Sequence, residues 1–110
     1  MAYDEQLARR VREVLASEEG LTERKMFGGI AFMLRGNMCC GVMSSDLILR
    51  VGAEEAQWAL REDPHTRLFD FTGRPMAGMV VVGPAGSERD EDLASWVGLA
   101  RRFTASLPPK

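Results

Sequence analysis

Residues 25–51 read KMFGGIAFMLRGNMCCGVMSSDLILRV, and this stretch decides the fold class. Residues 26–34 are apolar and are interrupted by Gly28-Gly29. Gly36-Asn37 marks a tight turn of the kind that closes a β-hairpin. Residues 38–43 form the next strand, and Ser44-Ser45-Asp46 makes the following turn. In residues 47–51, Leu47, Leu49 and Val51 share one face while Ile48 and Arg50 face the other way. The connections are too short for parallel crossovers, so these strands form an antiparallel meander.

Helical signals flank the meander. Upstream, Leu7, Val11, Val14 and Leu15 recur at helical spacing within residues 3–18. Asp4 is placed to cap that helix, and Gly20 to stop it. Downstream, residues 53–61 are rich in helix formers, and Asp63-Pro64 ends them. Residues 68–71 and 79–82 read as strands, with a turn over residues 72–75 between them. Leu93, Trp96, Val97, Ala100, Phe103 and Leu107 then line the inward face of a helix over residues 88–106. Ser87 and Asp90 have the spacing of a capping box at its start.

The order is therefore α-β-β-β-α-β-β-α. It predicts an α+β fold, an antiparallel sheet with helices on one face. Residues 1–107 are read as one domain and residues 108–110 as a short tail. The other sheet face is left for a partner.

Composition narrows the function classes. Fourteen basic and 16 acidic residues give a formal net charge of −2 in a chain of 110 residues. The isoelectric point near 5.4 argues against autonomous DNA binding, because domains that neutralise phosphates are usually basic. No basic-then-apolar leader and no apolar run of about 20 residues is visible. Adjacent Cys39 and Cys40 do not form a disulfide framework. A cytoplasmic location without membrane attachment is the expectation.

The segment Arg24-Lys25-Met26-Phe27-Gly28-Gly29-Ile30-Ala31-Phe32 resembles the opening motif of the TfoX (Sxy) N-terminal domain family. Gly36-Asn37-Met38, the strand bearing Arg50, and the block from Phe69-Asp70-Phe71 to Gly73-Arg74-Pro75-Met76 follow in the order of that family. The resemblance implies the same element order and a fold similar to type III secretion chaperones. It implies a stand-alone N-terminal domain without the family's helical C-terminal domain, and a link to the regulation of competence. The motif residues Lys25, Phe27, Arg50, Arg74 and Met76 become candidate binding residues.

Candidate chemistry is sparse. Gly28-Gly29 lacks the spacing of a phosphate loop and reads as a bulge or close backbone packing. Alternation on a strand would send Cys39 and Cys40 to opposite faces, one into the core and one exposed as a thiol. His65, the one histidine, falls in a loop near Asp63 and Arg67 and reads as solvent-exposed. The acids at helix starts suit the helix dipole. Seven methionines read as adaptable core filling, with a deformable binding face as the alternative. Arg50 reads as an ion-pair partner of Asp46 or Asp70, or as a contact to an acidic partner surface.

No enzyme activity, cofactor or metal is expected. The leading reading is a regulatory protein-interaction module that docks a transcription-related protein through its sheet face or an edge strand. A homodimer through a sheet edge is a further expectation. One alternative is a nucleic-acid-binding module using Arg24, Lys25, Arg35, Arg50 and Arg74. The other is a thiol-dependent redox protein using Cys39 and Cys40.

Overall fold

The computed structural model describes residues 3–26, 28–71 and 74–109, with the side chains of residues 71 and 74–76 outside the description. The elements are α1 (Glu5–Val14), β1 (Leu21–Met26), β2 (Gly29–Leu34), β3 (Asn37–Met43), β4 (Asp46–Arg50), α2 (Ala53–Glu62), β5 (Thr66–Phe71), β6 (Arg74–Val82) and α3 (Asp90–Ala105). They build one antiparallel sheet in the order β1-β2-β3-β4-β6-β5. The α+β class holds, with one strand more than the sequence reading assigned.

The additional strand is β1. Its middle residues Thr22, Glu23, Arg24 and Lys25 are all exposed, so it carries no alternating apolar signal. It pairs with β2 on one side only, at the edge of the sheet. Charge on an edge strand discourages pairing with another chain. The glycines between β1 and β2 are there for backbone reasons. Gly28 sits at φ +76°, and a Cβ on Gly29 would lie within clashing distance of the Val42 carbonyl oxygen. A left-handed backbone is therefore the reason for Gly28, and close backbone packing the reason for Gly29.

Turn chemistry sets the other hairpins. Arg35 and Gly36 both have positive φ, 51° and 86°, as a two-residue hairpin loop requires. Ser44 adopts φ 52° between β3 and β4. The buried Asn37 donates from Nδ2 to the Pro108 carbonyl at 2.8 Å, which ties the chain end to the start of β3.

Asp4 caps α1 as expected, accepting from the amides of Gln6 and Leu7 at 3.0 and 3.1 Å. The helix ends at Val14, earlier than the apolar spacing suggested, and Val14 is exposed. The start of α3 differs more. Its N-cap is Arg89, which has no side-chain capping bond, while Ser87 is buried beside the preceding 3-10 turn. The capping-box spacing of Ser87 and Asp90 is thus not used.

One core lies between the sheet and all three helices. It joins Leu7, Val11 and Leu15 of α1 and its C-terminal turn, and Ala56 and Ala59 of α2. Leu93, Trp96, Val97 and Ala100 of α3 pack with them against Phe32, Leu47, Leu49, Val80 and Val82. Burying a side chain of the Leu or Phe class stabilises by about 1.5–3 kcal/mol. A second, smaller cluster of Ile48, Phe69, Met79 and Val81 occupies the opposite sheet face, with Met38 and Met43 half-buried against it.

Candidate functional site

The cysteines correct the alternation expected of them. Phe32 pairs with Cys40 and Met33 with Met38, so β3 holds one extra residue, Cys39, at a bulge. Both thiols are consequently 0% exposed and belong to the helix-covered core. The thiol of Cys40 hydrogen-bonds that of Cys39. This bond, aided by the Thr104 hydroxyl and opposed by burial, holds Cys39 below the ordinary thiol range. The same bond and complete burial push Cys40 well above it. Neither is the exposed thiol that a redox protein would present.

His65 is exposed, as expected, and its ring Nδ1 lies 3.3 Å from Asp63 Oδ1. The same carboxylate oxygen accepts from the His65 amide at 2.8 Å. This is a local loop contact. Cys39 is enclosed in the helix-covered core while His65 is exposed in its loop, so imidazole and thiol are not joined. Among the described residues no group of three or more His, Cys, Asp and Glu side chains could hold a metal ion.

Of the five candidate binding residues the structure describes the side chains of two, Lys25 and Arg50. Lys25 is exposed on the edge strand β1. Arg50 reaches α3, its guanidinium carbon 5.7 Å from the centroid of Phe103. The expected partner Asp46 is taken by Arg67, and no ion pair of Arg50 with Asp70 forms. Phe27 and the side chains of Arg74 and Met76 lie outside the described residues.

The basic side chains are also dispersed. Arg10 is held by Asp90 and the carbonyls of Ser87 and Glu88, Arg12 by Glu23, and Arg67 by Asp46. Arg35 accompanies Gly20 at one end of β1, and Lys25 stands near the other. Their positions along the strand are separated by about 17 Å at 3.3 Å per residue. Among the described residues named for nucleic-acid binding, Lys25 and Arg35 thus stand toward opposite ends of β1 while Arg50 lies against α3.

The open sheet face offers a better-formed feature. A cavity of about 280 Å³ is lined by Met43, Asp46, Ile48, Arg67, Leu68, Phe69, Asp70 and Val81. Its construction follows from register: Val81 of β6 pairs with Ile48 of β4 on one side and Arg67 of β5 on the other. Arg67 reaches across to Asp46 with a 2.7 Å contact, spanning β6. The floor is apolar and one rim is an ion pair. β5 is the sheet's second edge, and Leu68 on it is 40% exposed. Neither Leu68 nor Arg67 was singled out from the sequence as a contact residue. Their signal is present but faint: a large apolar residue alternating with a charge on a strand short enough to be an edge.

The fold is thus that of an α+β domain, with helices covering one sheet face and a cavity with an apolar floor beside an edge strand on the other. The chain matches the TfoX N-terminal domain over residues 13–104 and belongs to that family. No curated protein and no solved structure matched the chain. No helix among the described residues is long and apolar enough to cross a membrane.

Proposed function

We propose that this chain is a regulatory protein-interaction module that receives an extended segment of a partner along β5. The family to which it belongs points to competence-related regulation. The observation that carries the reading is the cavity beside the β5 edge. An added strand would satisfy outward-facing backbone groups of β5, and a side chain on it would enter the cavity over Ile48, Phe69 and Val81. Backbone bonds supply affinity in this mode and the cavity supplies selection. The half-buried Met38 and Met43 beside it give an adaptable wall. A transcription-related protein of the source cell is the partner class.

The test compares affinity capture by the unaltered chain with capture by Leu68→Glu at physiological salt. Leu68 is exposed enough for the variant to fold, which circular dichroism checks. The unaltered chain is expected to retain a reproducible protein partner that the variant loses, while Glu5→Gln on exposed α1 keeps it. Equal retention by Leu68→Glu would exclude this edge as the docking site. Failure of the unaltered chain to retain any protein would remove the reading altogether.

A further inference from the structure

β5 is paired on one side only, and its register with β6 shows which of its backbone groups face outward. The Gly83 amide donates to the His65 carbonyl at 2.9 Å, so these two residues form a hydrogen-bonded pair. An antiparallel ladder alternates. Thr66 and Val82 are therefore a non-hydrogen-bonded pair, Arg67 and Val81 a hydrogen-bonded one, and Leu68 and Val80 again non-hydrogen-bonded. The amide and carbonyl of Leu68 consequently point away from the sheet. The Thr66 amide, the other outward donor before the bulge, is taken by the Asp63 carbonyl at 3.2 Å. Leu68 is thus where the edge offers donor and acceptor together, and it is 40% exposed.

The charges flanking Leu68 have opposite sign. Arg67 precedes it, its side chain still 60% exposed beside Asp46. Asp70 follows it, exposed and in no ion pair among the described residues. Both line the cavity on the open face. A two-fold axis perpendicular to a sheet joins two like edges antiparallel and matches their faces. With the axis at Leu68, the two leucines lie opposite each other and exchange both backbone hydrogen bonds. Arg67 of each copy then comes beside the Phe69-Asp70 bulge of the other, so basic groups meet acidic ones. β1 behaves in the contrary way: an axis through Glu23 or Arg24, in its middle, sets like charges face to face.

We propose that a second copy of this chain occupies β5 when no partner segment is bound, paired antiparallel about a two-fold axis at Leu68 so that the two sheets become continuous. One short edge and a few side chains fall below the roughly 1,000 Å² of a stable interface, so the dimer forms and dissociates with concentration. Its regulatory consequence rests on the partner-receiving role of β5: one edge pairs once, and the dimer is the closed form that a partner segment displaces.

Sedimentation equilibrium of the purified chain, from low micromolar to near-millimolar concentration, tests the dimer without any partner. A monomer–dimer equilibrium is expected. Leu68→Glu sets two carboxylates face to face on the axis and should be monomeric throughout. Asp70→Asn should dimerise about fivefold more weakly, since symmetry removes two charge contacts at once. Arg24→Glu on β1 should leave the equilibrium unchanged. A monomeric parent, an unchanged equilibrium in Leu68→Glu or Asp70→Asn, or loss of the dimer in Arg24→Glu would overturn the proposal and leave the partner reading standing. The closed form is tested with Leu68→Cys, because opposed residues of a hydrogen-bonded pair lie about 5.5 Å apart at Cα, within reach of a disulfide. Oxidised with copper phenanthroline, this variant should form a linked dimer that captures no partner, and reduction should restore capture. Partner capture by the linked dimer would overturn the closed form. Failure of the unaltered chain to capture any protein would remove the partner reading and leave the dimer standing.

Discussion

Cys39 and Cys40 show how one inserted residue alters chemistry. A regular strand would have turned one thiol to the open face. The bulge turns both into the core, where each is surrounded by apolar side chains and the two thiols are hydrogen-bonded. Reactivity requires thiolate and access together, and access is missing even for Cys39, whose titration is shifted down. Ellman's reagent added to the folded protein should therefore label neither thiol on the timescale of exposed cysteines. In denaturant it should label both. Prompt labelling of one thiol in the folded protein would contradict the bulge. The spacing of Cys39-Cys40 in the sequence carries no mark of that extra residue, because a bulge is fixed by the partner strand's register.

At the scale of elements, α1 is held to the sheet edge through Arg12. Its guanidinium donates to both Glu23 carboxylate oxygens at 2.6 and 2.8 Å and lies 5.9 Å from the Phe32 ring centroid. The hydrogen bond from Arg12 holds the Glu23 carboxyl below its ordinary range, against the opposing effect of burial. A folded value below the unfolded one gives stability that is complete above the ordinary carboxylate range, about pH 4.3 for glutamate. That stability is lost as pH falls through the lower folded value. Both side chains are substantially exposed, so screening keeps the pair's contribution to about 1 kcal/mol or less. Urea denaturation should show Glu23→Gln less stable than the parent by that amount at neutral pH. The gap should close in acid. A gap that persists or grows below the carboxylate range would show that the pair is not its source. The same strand explains what the sequence concealed. β2, β3 and β4 were legible because their apolar residues alternate or run together, whereas β1 offers only Thr22-Glu23-Arg24-Lys25 and takes its structure from pairing with β2.

At the scale of the molecule, the three helices cover one face of six strands, and the two faces differ in what they leave accessible. That asymmetry was readable from the element order, since three amphipathic helices and a small sheet have few ways to share one core. The candidate sites were less readable. The family motif drew attention to Lys25 and Arg50, which the fold places on an edge strand and against Phe103. Leu68 and Trp58 became visible only when strand pairing and helical phase showed that neither is in the core. A solvent-facing position of this kind depends on which neighbours arrive, which short-range periodicity does not specify. The two edges of the sheet are also unlike: β1 is guarded by charge, while β5 combines an exposed leucine with an adjoining cavity.

In the proposed function, β5 is the edge at which a partner is received. Amide hydrogen exchange of the chain, alone and in the complex recovered by affinity capture, tests it most directly. Slower exchange is expected in the complex over residues 66–70 and over the neighbouring β4 and β6 segments. Protection confined to β1, or to the exposed surfaces of α2 and α3 with β5 unchanged, would contradict it.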